Sequence, residues 1–178
     1  LNIKNWKRDI PEQMKDYYSE TNYETSRLYH KEKGRISFMQ SLISFIITFL
    51  ALFFGWFGVL DTIVLEYTED SFFRAAAFFT VLFLLAELLS LPFSIYNTFV
   101  VEQKYEFNKT TPATFILDKL KGYLLLFFIG GGLLYLAILT IEWFQKGYWL
   151  WLWMGMTAFM LLINMFYADV ILPLFNKL

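Results

Sequence analysis

The chain has no cysteine, one histidine and four prolines in 178 residues. Without cysteine there is neither a disulfide nor a thiolate metal site. A single histidine, His30, rules out a zinc site built on a histidine pair. Charge is scarce: 17% of the residues are charged, against about 25% in an ordinary soluble domain. The formal net charge of −1 offers nothing to a nucleic acid or another anionic partner. Ahead of residue 36 there is no apolar core of the kind a signal peptide carries.

What the chain has in excess is apolar surface. Hydrophobic residues make up 57% and aromatic residues 21%, and they are gathered in long blocks. A membrane-crossing helix needs roughly 20 mostly apolar residues. Four stretches meet that length: about 36–60, 72–101, 123–141 and 148–172. Their apolar runs are continuous, whereas a membrane barrel would alternate, and lipid leaves a spanning backbone no partners but its own. The expected fold class is therefore all-α: a polytopic membrane protein, a bundle of about four transmembrane helices with an amphipathic N-terminal segment. Residues 1–35 are read as a cytoplasmic N-terminal segment and 36–178 as the transmembrane region.

Orientation follows from Lys and Arg. Eight precede the first span: Lys4, Lys7, Arg8, Lys15, Arg27, Lys31, Lys33 and Arg35. Lys104, Lys109, Lys119 and Lys121 lie between spans two and three, and Lys177 follows span four. Only Arg74 and Lys146 fall on the opposite side. The positive-inside rule then places both ends of the chain and the 102–122 loop in the cytoplasm. Trp143, Trp149, Trp151 and Trp153 crowd the outer end of spans three and four, as an interfacial belt would, and Trp56 lies near the outer end of span one.

Local signals mark the boundaries. Thr21-Asn22-Tyr23-Glu24 reads as a capping box opening a helix, with Gly34 a candidate break. Before it, Trp6, Ile10, Met14 and Tyr17 recur at roughly helical spacing, interrupted by Pro11, and either lie on the membrane surface or pack on a soluble domain. Thr111-Pro112 opens a second helix, Thr as N-cap and Pro at the first helical position. Gly122 allows a bend, Pro92 is expected to kink span two, and Gly130-Gly131-Gly132 reads as a close helix–helix approach. Asn108-Lys109-Thr110 matches a glycosylation sequon but falls in the loop assigned to the cytoplasm. His30, among Tyr29, Lys31 and Glu32, reads as a solvated surface residue.

Few residues carry chemistry. Glu87 is the one ionisable group deep in a span, and such groups line a polar cavity or are paired between helices. Asn164, Asp169 and Asn176 thread polar groups through span four. No catalytic and no metal-binding set is expected on this chain.

Three stretches carry a resemblance. They are Glu24-Thr25-Ser26-Arg27-Leu28-Tyr29, the run from Leu91 through Pro92, Tyr96, Asn97, Glu102, Phe107 and Asn108 to Pro112, and Tyr167-Ala168-Asp169-Val170-Ile171-Leu172-Pro173 with the residues to Leu178. Together they resemble the type I CAAX prenyl proteases, integral-membrane zinc metallopeptidases, with order and spacing kept from about Ser19 onward. One departure is Glu106, where that family commonly has Gly before Phe-Asn. The resemblance implies that this chain is a fragment of a larger membrane protease, its zinc motif H-E-x-x-H lying beyond Leu178. That motif holds zinc with two His of one helical face while the Glu activates water. It also implies an intramembrane chamber, with Glu87 and Asn164 as candidate lining. The implied partners are the lipid bilayer, the protein's own catalytic domain and a prenylated or membrane peptide substrate.

Two other readings stand beside this one. The chain could be a non-enzymatic four-helix membrane protein, such as a transporter subunit or assembly factor. It could also be the same metalloprotease scaffold in a bacterial homologue acting in membrane-protein proteolysis. The absence of cysteine and the 21 phenylalanines point to a bacterial inner membrane; in a eukaryote the endoplasmic reticulum would be the expected membrane.

Overall fold

A computed structural model describes residues 19–144 and 146–175, and all regular structure among them is helical. The expected amphipathic stripe of Trp6 to Tyr17 and the polar Asn176 lie outside the described residues. Among the described residues four helical stretches are long and apolar enough to cross a membrane: Glu20–Phe53, Ser71–Glu102, Pro112–Phe144 and Tyr148–Asp169. The described residues fall into two compact units, the first made of those at 19–62 and 80–110 and the second of those at 63–79, 111–144 and 146–175.

Helix α1 (Glu20–Phe53) begins two residues earlier than the capping box implied. Ser19 holds an extended backbone (φ −69°, ψ 149°) and its Oγ accepts from the Asn22 N–H at 3.2 Å. Thr21 is thus inside the first turn, and Glu24 pairs with Arg27 at 3.5 Å instead of reaching back. The helix runs unbroken through Gly34, because a single Gly costs a helix only about 1 kcal/mol and the residues around it continue the pattern.

The first apolar run is broken at Gly55, whose φ of +69° an L side chain rarely adopts. A separate 12-residue helix, α2 (Trp56–Tyr67), follows. Its second half lies between the expected spans 36–60 and 72–101, and Asp61 and Glu66 there sit on a helix with an apolar majority. Asp70 then caps α3 (Ser71–Tyr96), its Oδ1 accepting from the Phe73 N–H at 2.9 Å.

Helix α3 passes through Pro92 without ending and widens into a π-helical segment, Asn97–Glu102. Among the described residues two more such segments occur, Leu126–Gly130 between α4 (Pro112–Leu125) and α5 (Gly131–Phe144), and Tyr167–Ile171 between α6 (Tyr148–Phe166) and α7 (Leu172–Phe175). Thr111 caps α4 as its sequence implied, its Oγ1 accepting from the Thr114 N–H at 3.2 Å with Pro112 at the first position. Gly122 introduces no break in α4.

Among the described residues no other helix comes close to the glycine triplet. A Cβ on Gly131 or Gly132 would meet nothing within 4 Å, and one on Gly130 would meet only Leu126 Cδ1 at 3.1 Å, four residues back on its own chain. In the second unit α5 packs against α6, where Phe144 and Trp151 stack at 4.9 Å. Gly147, with φ +77°, turns the chain into α6.

Candidate functional site

The first unit concentrates its polar contacts where α1 meets the exit of α3. The π-helical segment Asn97–Glu102 packs on α1, and Val101 within it is fully buried. Burying one such side chain is worth about 1.5–3 kcal/mol, so Val101 fixes the contact around which the charged groups are arranged.

Two hydrogen-bonded triads flank it. Lys33 Nζ donates to Glu102 Oε1 at 3.0 Å and to the Tyr29 hydroxyl at 2.7 Å, and that hydroxyl donates on to Glu102 Oε1 at 3.3 Å. Glu32 Oε2 accepts from Lys104 Nζ at 2.7 Å and from the Tyr105 hydroxyl at 2.8 Å. The spacing explains the arrangement. Tyr29, Glu32 and Lys33 lie three and four residues apart on one helical face. Tyr29 also presents its ring edge-on to Tyr105 (5.7 Å) and Phe107 (4.9 Å). The hydrogen bond to Glu32 raises the Lys104 pKa, while burial first and then Glu32 raises that of the Tyr105 phenol.

The loop leaving this junction is a helix terminus of defined form. The Phe107 N–H donates to Glu102 O at 2.9 Å and the Glu106 N–H to Gln103 O at 3.2 Å, the paired bonds of a Schellman motif. The left-handed residue such a motif needs is Glu106, with φ +61°, the one non-glycine residue with positive φ among the described residues. Its departure from the family's Gly therefore leaves the turn intact while placing a β-carbon where it costs about 1–2 kcal/mol. Asn108 completes the turn: its N–H donates to Glu102 O at 3.1 Å, its Nδ2 to Gln103 Oε1 at 3.1 Å, and its Oδ1 accepts from the Thr110 N–H at 2.7 Å.

Of the residues singled out in the sequence, Glu102, Phe107 and Asn108 come together here with Tyr29. Asn97 opens the π-helical segment with a buried Oδ1 that finds no partner among the described residues; Arg27 Nε on α1 is likewise buried and unpartnered. Tyr96 closes α3 and is exposed, and Pro92 lies on the same helix. Glu87 accepts from Ser90 Oγ at 3.4 Å. Asn164 lies on α6 in the second unit and donates to Met160 O of its own helix at 2.8 Å. Asp169 falls in the last π-helical segment and Pro173 in α7. Glu32, Lys33, Lys104 and Tyr105 were not singled out: a single sequence shows each as an ordinary surface residue, and pairs separated by 72 and 73 positions leave no local signal.

These groups hold two chain segments together. Among the described residues no group of three or more His, Cys, Asp or Glu is placed to hold a metal ion.

Comparison with known proteins places this architecture. Residues 1–177 match the family described as "CAAX prenyl protease N-terminal, five membrane helices". The chain is 30% identical over 173 residues to a CAAX prenyl protease 1 homolog of Dictyostelium discoideum and 30% identical over 178 residues to one of Arabidopsis thaliana. Each alignment covers 94% of this chain and 41% of the relative, so the chain spans about two-fifths of the length of the curated relatives it matches. The crystal structure of S. mikatae Ste24p superposes with a TM-score of 0.83 at 23% identity, over 99% of this chain and 42% of that one, a likeness of fold. The long apolar helices, the match over nearly the whole chain and the relatives agree: the chain belongs to the CAAX prenyl protease family and corresponds to its N-terminal membrane region.

Proposed function

We propose that this chain is the membrane-embedded N-terminal portion of a zinc metalloendopeptidase acting on prenylated CAAX-type or other membrane peptides. Its part is mechanical: it walls an intramembrane chamber and presents the bilayer-side support on which a catalytic domain rests. Zinc and the hydrolytic groups belong to that other domain, and no catalytic step is assigned to residues of this chain. The observation that carries the reading is that two of the three stretches resembling the family converge in the first unit, Tyr29 from one bonding Glu102 from the other at 3.3 Å. In this reading the junction anchors the 103–110 loop to α1.

In this reading both ends of the chain and the 102–122 loop face the cytoplasm, on the strength of the thirteen-to-two division of Lys and Arg. Glu87 and Asn164 contribute polar lining to the chamber. The test is cleavage of a farnesylated C-terminal peptide by the full-length protein, with and without a zinc chelator. Cleavage abolished by the chelator and restored by zinc supports the assignment. A purified, folded full-length protein that cleaves neither that peptide nor a membrane-protein substrate with zinc present would falsify it.

A further inference from the structure

The face of α1 turned away from the Tyr29–Lys33 junction has a different composition. With 3.6 residues per turn, Lys31, Arg35, Phe38, Phe45, Phe49 and Phe53 fall within an arc of about 80°, opposite Tyr29 and Lys33. Phe45, Phe49 and Phe53 form a stacked ladder, successive centroids 6.3 Å apart with interplanar angles of 24° and 18°. Phe45 is 67% and Phe53 73% exposed, so nothing in the first unit covers them.

The two cations sit at one end of this stripe. Neither Lys31 nor Arg35 makes a hydrogen bond or ion pair among the described residues, Arg35 acting on Glu32 only by longer-range attraction. The nearby carboxylates are already engaged, Glu32 by Lys104 and Tyr105 and Glu24 by Arg27. The position matters as much as the charge. Lys31 and Arg35 lie within about 8 Å along the axis of the charge-free run that starts at Ile36. The headgroup layer on each side of a bilayer is roughly 5–8 Å deep. The cations are therefore level with lipid phosphates, and Phe38 and Phe45 lie within the adjoining leaflet, about 15 Å deep.

We infer that this face of α1 is a binding site for one anionic phospholipid. The phosphate sits between the Lys31 ammonium and the Arg35 guanidinium, which are neighbours at i, i+4. An acyl chain lies along Phe38 and Phe45. Charge complementarity selects a lipid over another helix: an apolar helix packed on the ladder would leave both cations without an anion. The site is independent of any peptidase activity and needs only that α1 cross the membrane.

The experiment uses the full-length protein in nanodiscs of phosphatidylcholine with a minor fraction of phosphatidylglycerol. Native mass spectrometry of the released protein counts the lipids retained. Wild type retains phosphatidylglycerol above its bulk fraction. Lys31→Gln with Arg35→Gln lowers that enrichment by roughly tenfold or more, as two interfacial cations each contribute on the order of 1 kcal/mol. Lys109→Gln, an exposed cation on the loop after α3, leaves it unchanged, and Arg35→Lys retains most of it. Equal unfolding temperatures of wild type and the double variant in phosphatidylcholine alone establish that the fold is intact. Three results overturn the site: no enrichment in wild type, enrichment unaffected by the double substitution, or displacement of the retained lipid by dissolved glycerol phosphate. The last would mark a free-phosphate site.

Discussion

Lys33 on α1 and Glu102 at the end of the π-helical segment are 69 residues apart in sequence and 3.0 Å apart in space. The bond lies beside Val101, which is fully buried from solvent. Lys33 and Tyr29 share one carboxylate oxygen, so the three groups act together.

Removing the acceptor tests that coupling. Glu102→Ala is expected to lower stability by about 1 kcal/mol, the range of a partly exposed ion pair with an added hydrogen bond. In a double-mutant cycle with Lys33→Ala, the coupling energy should be about 0.5–1 kcal/mol. The measurement is thermal unfolding of the detergent-solubilised full-length protein. Additivity within error would show that the pair contributes nothing.

Glu106 offers a gain. Its left-handed backbone, φ +61°, strains any residue with a β-carbon. Glu106→Gly should stabilise the loop by about 1 kcal/mol, while Glu106→Ala should give no comparable gain. Unfolding temperature and protease susceptibility of the 103–111 loop report both.

The junction should loosen at alkaline pH. The folded-state pKa values of Lys104 and Tyr105 lie above their ordinary ones. Their contribution is fully present below the unfolded values, near 10 for both types, and is lost as pH rises through the folded values. Stability measured from pH 8 to 11 should therefore fall at the high end. In Tyr105→Phe the part of that fall due to the phenol should be absent.

Topology can be read directly, since the chain has no cysteine of its own. A single cysteine at Lys109→Cys should react with an impermeant maleimide only when the cytoplasmic face is open. One at Glu69→Cys should react from the opposite face. Reversed labelling would invert the proposed orientation.

Glu87 and Asn164 can be examined in the full-length protein. If they line the chamber, Glu87→Gln and Asn164→Ala should change peptide cleavage several-fold with little change in unfolding temperature. Unchanged cleavage by both variants would remove them from the lining.

The sequence by itself determined the helical class, the four long apolar helices and the family. Lipid forces a spanning chain to satisfy its backbone internally, and that requirement is written in run length and composition. Local chemistry was legible where one side chain acts on its own helix, as at Thr111 and Pro112. It misled where two local signals competed: Ser19 took the cap assigned to Thr21, and Gly55 ended the first apolar run before its charge-free stretch did. The pairing of Tyr29 and Lys33 with Glu102, and of Glu32 with Lys104 and Tyr105, was decided only by tertiary structure. Each partner is an unremarkable polar residue in its own segment. Only the packing of the α3 exit onto α1 around Val101 brings their charges within bonding distance.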